Sequence, residues 1–232
     1  MNKYEHIFFD LDNTLWDFEA NSKETLNELF FDHLDRSFQE SSFEKFFKKY
    51  VEVNSHYWDL YRDGKVSKED LRVNRFHDTL LSFKINEIEL AENIAEEYLK
   101  ICPYKTKLMD GAIDILDHLK IKGYPMVVIT NGFEEVQHIK MKNCGLSDYF
   151  EDVITSEKIG CKKPYPEIFQ YAFSMVDAKA STSIMIGDNH ECDIVGADNL
   201  GMDSAYLQLG VLPKNFRGRW IIEKLSDLKS IL

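Results

Sequence analysis

The chain is organised around IFFDLDNTL, the segment at residues 7–15. An apolar run of strand length ends there in two aspartates, Asp10 and Asp12, which are one residue apart. In an extended segment, residues i and i+2 point the same way, so the two carboxylates are expected to share one face. Like charges this close repel each other unless water or a cation separates them, and Mg²⁺ prefers oxygen ligands of this kind. A strand that ends in a solvated acidic turn would have the same sequence pattern.

Length and charge limit the class of protein. With 232 residues, the chain fits one large domain or a domain that carries an insertion. Its 28 basic and 40 acidic residues give a net charge of −12, so a nucleic-acid polymer is not an expected partner. An acidic protein that binds an anionic small molecule needs local positive charge from a metal, a lysine or a helix N-terminus.

The N-terminus and the cysteines predict a cytoplasmic protein. Lys3, Glu5 and Asp10 lie where the apolar core of a secretion signal would be, and no apolar run reaches the length of a membrane span. Cysteines without metal-ligand spacing are then expected to be reduced. We predict no membrane partner, and the choice between monomer and homodimer stays open. The cysteines are Cys102, Cys144, Cys161 and Cys192.

A helical segment follows the first strand. From about residue 21 to residue 102 the periodicity is helical, and Gly64 is the only glycine. Ser67 with Asp70 resembles a capping box, which marks a helix start. We predict a helical module at 17–103, inserted into a core made of 1–16 and 104–232. The predicted helices are 21–34, 41–62, 67–83 and 87–101.

Beyond residue 104, helices alternate with short buried strands. This alternation predicts an α/β fold with a parallel sheet and right-handed crossovers. Ligands of such sheets bind at the carboxyl ends of the strands, near a topological switch point. The predicted strands are His6–Phe9, Met126–Ile129, Val153–Ile154, Ser183–Ile186 and, as the last main strand, Ser204–Leu207; Trp220–Ile222 and 225–232 close the chain.

Polar residues follow several of these strands. Thr130 and Asn131 end the second strand, where a hydroxyl and backbone N–H groups would suit phosphoryl oxygens. Lys163 follows the third strand, and Asp188 and Asp193 follow the fourth. Each has a plain alternative: an Asn-Gly turn, a solvated lysine, or an acidic residue that favours a helix start. Their order along the chain, each just past a strand, favours a single site.

These residues carry a family resemblance. DLDNT at 10–14, TNG at 130–132, Lys163-Pro164 and GDNHECD at 187–193 resemble the four motifs of the haloacid dehalogenase superfamily of hydrolases. The resemblance covers essentially the whole chain and implies a Rossmann-like parallel sheet core with an inserted all-helical, four-helix cap domain.

A narrower resemblance concerns the substrate. DLDNTLWDFEAN at 10–21 and ITNGF at 129–133 are similar to a bacterial branch of pyrimidine nucleoside 5′-monophosphate phosphatases. This resemblance implies that a small phosphate ester, a pyrimidine nucleotide among the candidates, is the partner. The cap is rich in aromatic residues, most of which we expect in its core. One or two of them, with Trp16 or Phe133, could stack on a base.

The superfamily resemblance also implies a mechanism. Asp10 would attack phosphorus and form an aspartyl-phosphate, which splits one hard step into two. Asp12 would protonate the leaving oxygen and then deprotonate the attacking water; repulsion from Asp10 would favour the protonated form that the first step needs. Thr130, Asn131 and Lys163 would stabilise the charge on the equatorial oxygens.

The implied cofactor is Mg²⁺, with Mn²⁺ or Co²⁺ as substitutes. Its ligands would be Asp10, the backbone carbonyl of Asp12, and Asp188, with waters completing the shell. Asp193 would orient Lys163 or a metal-bound water.

Three other functions stay open. A 2-haloacid dehalogenase uses an aspartate on carbon without a metal, which would leave Asp12 and Asp188 without a task. A sugar-phosphate phosphatase or mutase would use the same fold and the same nucleophile. A non-catalytic regulatory binding protein would retain only the fold.

Overall fold

The computed structural model of this protein describes residues 3–34 and 40–232. The chain forms two compact units, one made of Met1–Phe18 with Thr106–Leu232 and the other of Glu19–Lys105. The boundaries expected from the sequence, 17–103, lie two residues from these at either end. That the inserted unit acts as a cap stays a prediction.

The first unit contains a six-stranded sheet in which every recorded strand pair is parallel. Its four central strands are almost wholly buried, as expected for a sheet covered on both faces. The predicted α/β fold with a parallel sheet is confirmed. The strands are β1 His6–Phe9, β2 Met126–Thr130, β3 Asp152–Thr155, β4 Ser183–Gly187, β5 Asp203–Leu207 and β6 Trp220–Ile222, in the order β3-β2-β1-β4-β5-β6.

The strand order places a switch point beside β1. After β1, the chain adds β2 and β3 on one side and then returns to add β4, β5 and β6 on the other. Because all these strands run in parallel, the residues after β1, β2 and β4 lie at the same edge of the sheet. This is where open α/β sheets bind their ligands.

The second unit is built from helices around an aromatic core. Tyr50, Phe76 and Tyr98 stack or tilt against one another at centroid distances of 5.3–6.2 Å and are almost fully buried. Ser67 Oγ accepts a bond from the backbone N of Asp70, which completes the expected capping box. The helices are α1 Phe18–His33, α2 Glu40–Arg62, α3 Lys68–Leu81 and α4 Ile88–Ile101.

Two stretches of the first unit have short or irregular helical structure. A short helix, Ser156–Ile159, follows β3; Thr155 Oγ1 caps its start and Gly160 adopts φ 73° at its end. A π-helical turn, His190–Val195, follows β4 and leads directly into a short helix, Gly196–Asp198. The helices are α5 Ala112–Ile121, α6 Glu134–Asn143, α7 Ser156–Ile159, α8 Pro166–Met175 and α9 Gly196–Asp198; 3₁₀ turns lie at Cys102–Tyr104, Ser147–Tyr149, Ala180–Thr182 and Leu225–Ser230.

Within residues 3–34 and 40–232, none of the helices combines the length and the apolarity that a membrane crossing needs.

Candidate active site

Asp10 lies directly after β1, and its backbone continues the pairing with β4. Its N–H donates to the carbonyl of Ile186 at 2.9 Å, which fixes where the side chain leaves the sheet. The carboxylate is buried, with Oδ1 2.7 Å from Lys163 Nζ and Oδ2 3.4 Å from the Thr14 hydroxyl. Burial raises the pKa of Asp10 to about 7, although Lys163 opposes the shift. A carboxylate is therefore kept here largely out of water.

Lys163 supplies the positive charge beside it. The ammonium is buried and donates to Asp10 Oδ1 at 2.7 Å and to the carbonyl of Ile129 at 2.6 Å, and it pairs with Asp193 Oδ1 at 2.7 Å. An ammonium has three N–H donors, of which the Asp10 carboxylate and the Ile129 carbonyl use two, while Asp193 Oδ1 balances its charge as an ion-pair partner. Burial alone would lower the pKa of Lys163, but Asp10 and Asp193 outweigh it and raise the pKa above its ordinary value.

Asp188 and Asp193 complete an acidic cluster with Asp10. Each of the three aspartates offers a carboxylate oxygen, and these atoms lie within 4.8 Å of one another. The Thr14 hydroxyl lies between Asp10 and Asp188. It accepts from the Asp188 N–H at 3.1 Å, and its oxygen lies 3.3 Å from Asp188 Oδ1 and 3.4 Å from Asp10 Oδ2. Burial, together with repulsion from Asp10 and Asp193, raises the pKa of Asp188 well above its ordinary value. Three close carboxylates around one lysine fit a divalent cation with oxygen ligands.

Asp193 is the most deeply buried of the three carboxylates. It is fully buried, pairs with Lys163 through Oδ1, and accepts the Asn189 N–H through Oδ2 at 3.0 Å. Gly187 makes this approach possible, because a Cβ at that position would lie 2.2 Å from Asp193 Oδ2. Both oxygens therefore already have protein partners.

Thr130 and Asn131 lie at the end of β2, and both bond to other site residues. Asn131 Oδ1 accepts the Lys163 N–H at 2.8 Å, and its Nδ2 donates to the Lys163 carbonyl at 2.9 Å. This pair of bonds fixes the backbone that carries the lysine, a contact that sequence reasoning missed. The Thr130 hydroxyl accepts from Gly132 N at 3.1 Å and from Gln137 Nε2 at 2.7 Å.

Asp12 points to helix α6 rather than to the acidic cluster. Its Oδ1 lies 2.5 Å from Lys140 Nζ, and its Oδ2 accepts from Gln137 Nε2 at 2.8 Å. From the sequence we expected Asp10 to be the charged neighbour that influences the protonation of Asp12. The structure places a second charge, the buried ammonium of Lys140, against the Asp12 carboxylate. Gln137 and Lys140 were missed because they lie in a helix with no motif of its own. Their spacing of three residues, which places both on one helix face, was the available signal.

Trp16 and Phe133, the two candidate stacking residues, are both buried. Lys140 Nζ lies 4.0 Å from the Trp16 ring centroid, so one ring face already has a cation partner. Phe133 precedes α6, and its carbonyl accepts from the backbone N of Gln137 at 3.0 Å. This burial argues against a base stacking on either ring in this conformation.

Together, the fold and the cluster are those of an α/β enzyme with an acidic site at the switch point of its sheet. Residues 4–201 match the family model for haloacid dehalogenase-like hydrolases. The chain belongs to this family, and the resemblance inferred from the four motifs is confirmed.

Relatives extend this assignment over the whole chain. The chain is 30% identical to pyrimidine 5'-nucleotidase YjjG of Escherichia coli (strain K12), over 99% of this chain and 98% of that protein. It is 28% identical to pyrimidine 5'-nucleotidase PynA of Streptococcus pneumoniae, over 88% of this chain and 83% of the relative. A magnesium-bound crystal structure of YfnB from Bacillus subtilis is similar at a TM-score of 0.86 and 26% identity, covering 99% of this chain and 98% of that one.

Proposed function

We propose that this protein is a Mg²⁺-dependent phosphatase that acts through an aspartyl-phosphate at Asp10, with nucleoside 5′-monophosphates as its preferred substrates. The observation that carries the proposal is the buried Asp10 carboxylate, 2.7 Å from the Lys163 ammonium and clustered with Asp188 and Asp193. Relatives named as pyrimidine 5'-nucleotidases support the substrate class.

Each of the two aspartates after β1 has its own role in both half-reactions. The Asp10 carboxylate attacks phosphorus, the bond from phosphorus to the leaving oxygen breaks, and Asp12 gives that oxygen a proton. In the second half, Asp12 takes a proton from a water whose oxygen bonds to phosphorus, and the bond between phosphorus and Asp10 breaks. Inorganic phosphate leaves and both aspartates return to their starting forms.

Lys163 neutralises charge during both halves. Its ammonium is fixed by Asp10, Asp193 and the Ile129 carbonyl, so little reorganisation is needed when negative charge builds up on the phosphoryl oxygens. Thr130 and Asn131 are proposed to contribute at the same edge of the sheet. Asp193, held by Lys163 and Asn189, is proposed to orient the lysine.

The acidic cluster is proposed to hold the metal. Asp10, Asp188 and the Asp12 carbonyl would bind Mg²⁺, with Mn²⁺ or Co²⁺ as substitutes. When bound, the ion would offset the carboxylate charges and polarise the phosphoryl oxygens. A 2-haloacid dehalogenase would need no metal, so it would leave the partly buried Asp188 without a role.

Phosphate release from p-nitrophenyl phosphate, measured with Mg²⁺ and with excess chelator, tests the reaction class. We expect turnover that requires the metal and is lost in Asp10→Asn. Full turnover in chelator, or none under any condition, would overturn the phosphatase assignment.

A panel of phosphate esters then tests the substrate class. We expect pyrimidine nucleoside monophosphates to give higher kcat/KM than hexose or triose phosphates. A panel led by sugar phosphates would overturn the nucleotidase assignment and leave the phosphatase standing.

A further inference from the structure

Helix α6 holds both carboxylate oxygens of Asp12. Lys140 Nζ lies 2.5 Å from Oδ1, and Gln137 Nε2 lies 2.8 Å from Oδ2. The two donors are one helical turn apart, so they reach the carboxylate from the same helix face. Asp12 therefore has a fixed position and a fixed orientation.

Lys140 is itself fixed from two sides. Only 5% of its side chain is exposed, and its ammonium lies between the Asp12 carboxylate and the Trp16 ring, 4.0 Å from the ring centroid. A buried ammonium is costly unless it is paired, and an aromatic face contributes a further attraction. The cation is therefore held at one point beside Asp12.

Gln137 connects Asp12 to the end of β2. Its Nε2 donates to Asp12 Oδ2 at 2.8 Å and to Thr130 Oγ1 at 2.7 Å, which uses both amide hydrogens. A Cβ on Gly132 would lie 2.2 Å from Gln137 Nε2, so glycine is needed there for the amide to reach both oxygens. The turn after β2 and helix α6 thus form one support for Asp12.

This arrangement leaves Asp12 able to act as a base. An ionised carboxylate has about four lone-pair positions, and the two bonds from α6 use two of them. Asp12 could accept a proton from water while both bonds persist. The proton that Asp12 donates in the first half-reaction would occupy the same free positions.

We infer that Lys140 and Gln137 are positioning residues for Asp12 that hold it as the base for hydrolysis of the aspartyl-phosphate. The inference rests on the proposed function. In the step concerned, water bonds to phosphorus, its proton passes to Asp12, and the bond from phosphorus to Asp10 breaks.

Lys140→Met tests the inference, because methionine keeps the apolar stem and removes the ammonium. With p-nitrophenyl phosphate, kcat/KM reports formation of the phosphoenzyme, which needs little help from an acid with this leaving group. We expect kcat/KM to stay within about threefold, while kcat falls by about ten- to a hundredfold because the base is misplaced. Phosphoenzyme should then accumulate, giving a burst of p-nitrophenolate that the unchanged protein lacks.

Two further variants separate positioning from folding. Gln137→Met removes the other donor and should give the same signature at a smaller size. Lys142→Met is the matched control, since Lys142 is an exposed lysine on the same helix, and its kinetics should not change. Thermal melting of each variant identifies any that fail to fold.

The outcomes distinguish this inference from the proposed function. If the unchanged protein does not hydrolyse p-nitrophenyl phosphate, the proposed function fails. If it does, but kcat and kcat/KM fall together without a burst in the folded Lys140 and Gln137 variants, or neither value changes, the positioning role is wrong and the phosphatase assignment stands.

Discussion

Two buried cations, one in each unit, have very different surroundings. Lys163 in the first unit is held by two carboxylates and a carbonyl. Arg75 in the second unit donates to the amide oxygen of Asn54 at 2.9 Å, and its guanidinium carbon lies 4.8 and 4.9 Å from the ring centroids of Phe76 and Tyr98. Both side chains are almost fully buried.

The comparison distinguishes a buried cation whose surroundings suit a reaction from a buried cation that stabilises a packed core. A cation between carboxylates at a sheet switch point keeps several charges out of water, an arrangement that is costly for stability but suited to phosphoryl transfer. A cation between ring faces and a neutral amide gains attraction from the rings and anchors a small helical core. We therefore expect changes around Lys163 to affect turnover most, and changes at Arg75 to affect stability alone.

The largest effect is expected for Asp10→Asn. The amide cannot attack phosphorus, so kcat for p-nitrophenyl phosphate should fall by at least about 10⁴-fold. The melting temperature should not fall, because a buried charge is removed from a cluster of like charges. Steady-state assay and thermal melting measure the two effects. Turnover within tenfold of the unchanged protein would mean that another group is the nucleophile.

Lys163→Met should follow in size. Loss of the fixed ammonium should lower kcat by about 10²–10³-fold, the range seen when one transition-state donor is removed. The free energy of unfolding should also fall, by about 3–5 kcal/mol, because Asp10 and Asp193 lose a buried partner. Denaturant titration beside the kinetic assay gives both numbers. A variant with normal kcat would show that this lysine only balances charge.

Arg75→Met should give the reverse pattern. Its loss leaves Asn54 without a charged donor, so we expect a fall in unfolding free energy of about 1–3 kcal/mol. Turnover of p-nitrophenyl phosphate should stay within about twofold under conditions where the variant is folded. If kcat instead falls as far as in Lys163→Met, the distinction between the two cations is lost and Arg75 belongs to the site.

The smallest effect concerns pH and the metal. The pKa of Asp10 is raised to about 7, whereas the same carboxyl in an unfolded chain titrates at about pH 4. Between these values the unfolded state binds fewer protons, so without metal this group makes the protein less stable as pH rises. Because Mg²⁺ binds ionised carboxylates, the rise in melting temperature that it causes should be larger at about pH 8 than at about pH 5.5, by a few degrees. Arg75→Met should show the same dependence; a metal shift that shrinks as pH rises would contradict the acidic cluster as the metal site.

The sheet and its chemistry-bearing edge could be predicted because the signals are local. A buried strand that ends before Asp10, and another that ends before Asp188, are visible as apolar runs followed by polar residues. The rule that parallel strands end at one edge then brings these residues together without further information. The capping box at Ser67 is equally local, since both partners lie within one turn.

What the sequence by itself determined is therefore the alternation of strands and helices, the inserted helical unit and the set of polar residues that follow the strands. Only the tertiary structure decided which residue each of these polar side chains contacts. Asp12 pairs with Lys140, 128 residues away, and Asn131 bonds to the backbone of Lys163, 32 residues away. The burial of Trp16 was likewise decided only by the tertiary structure, because it depends on which residues pack over the ring. Periodicity reports which face of an element is apolar, but a contact between distant residues depends on how the elements pack, and no local pattern records that.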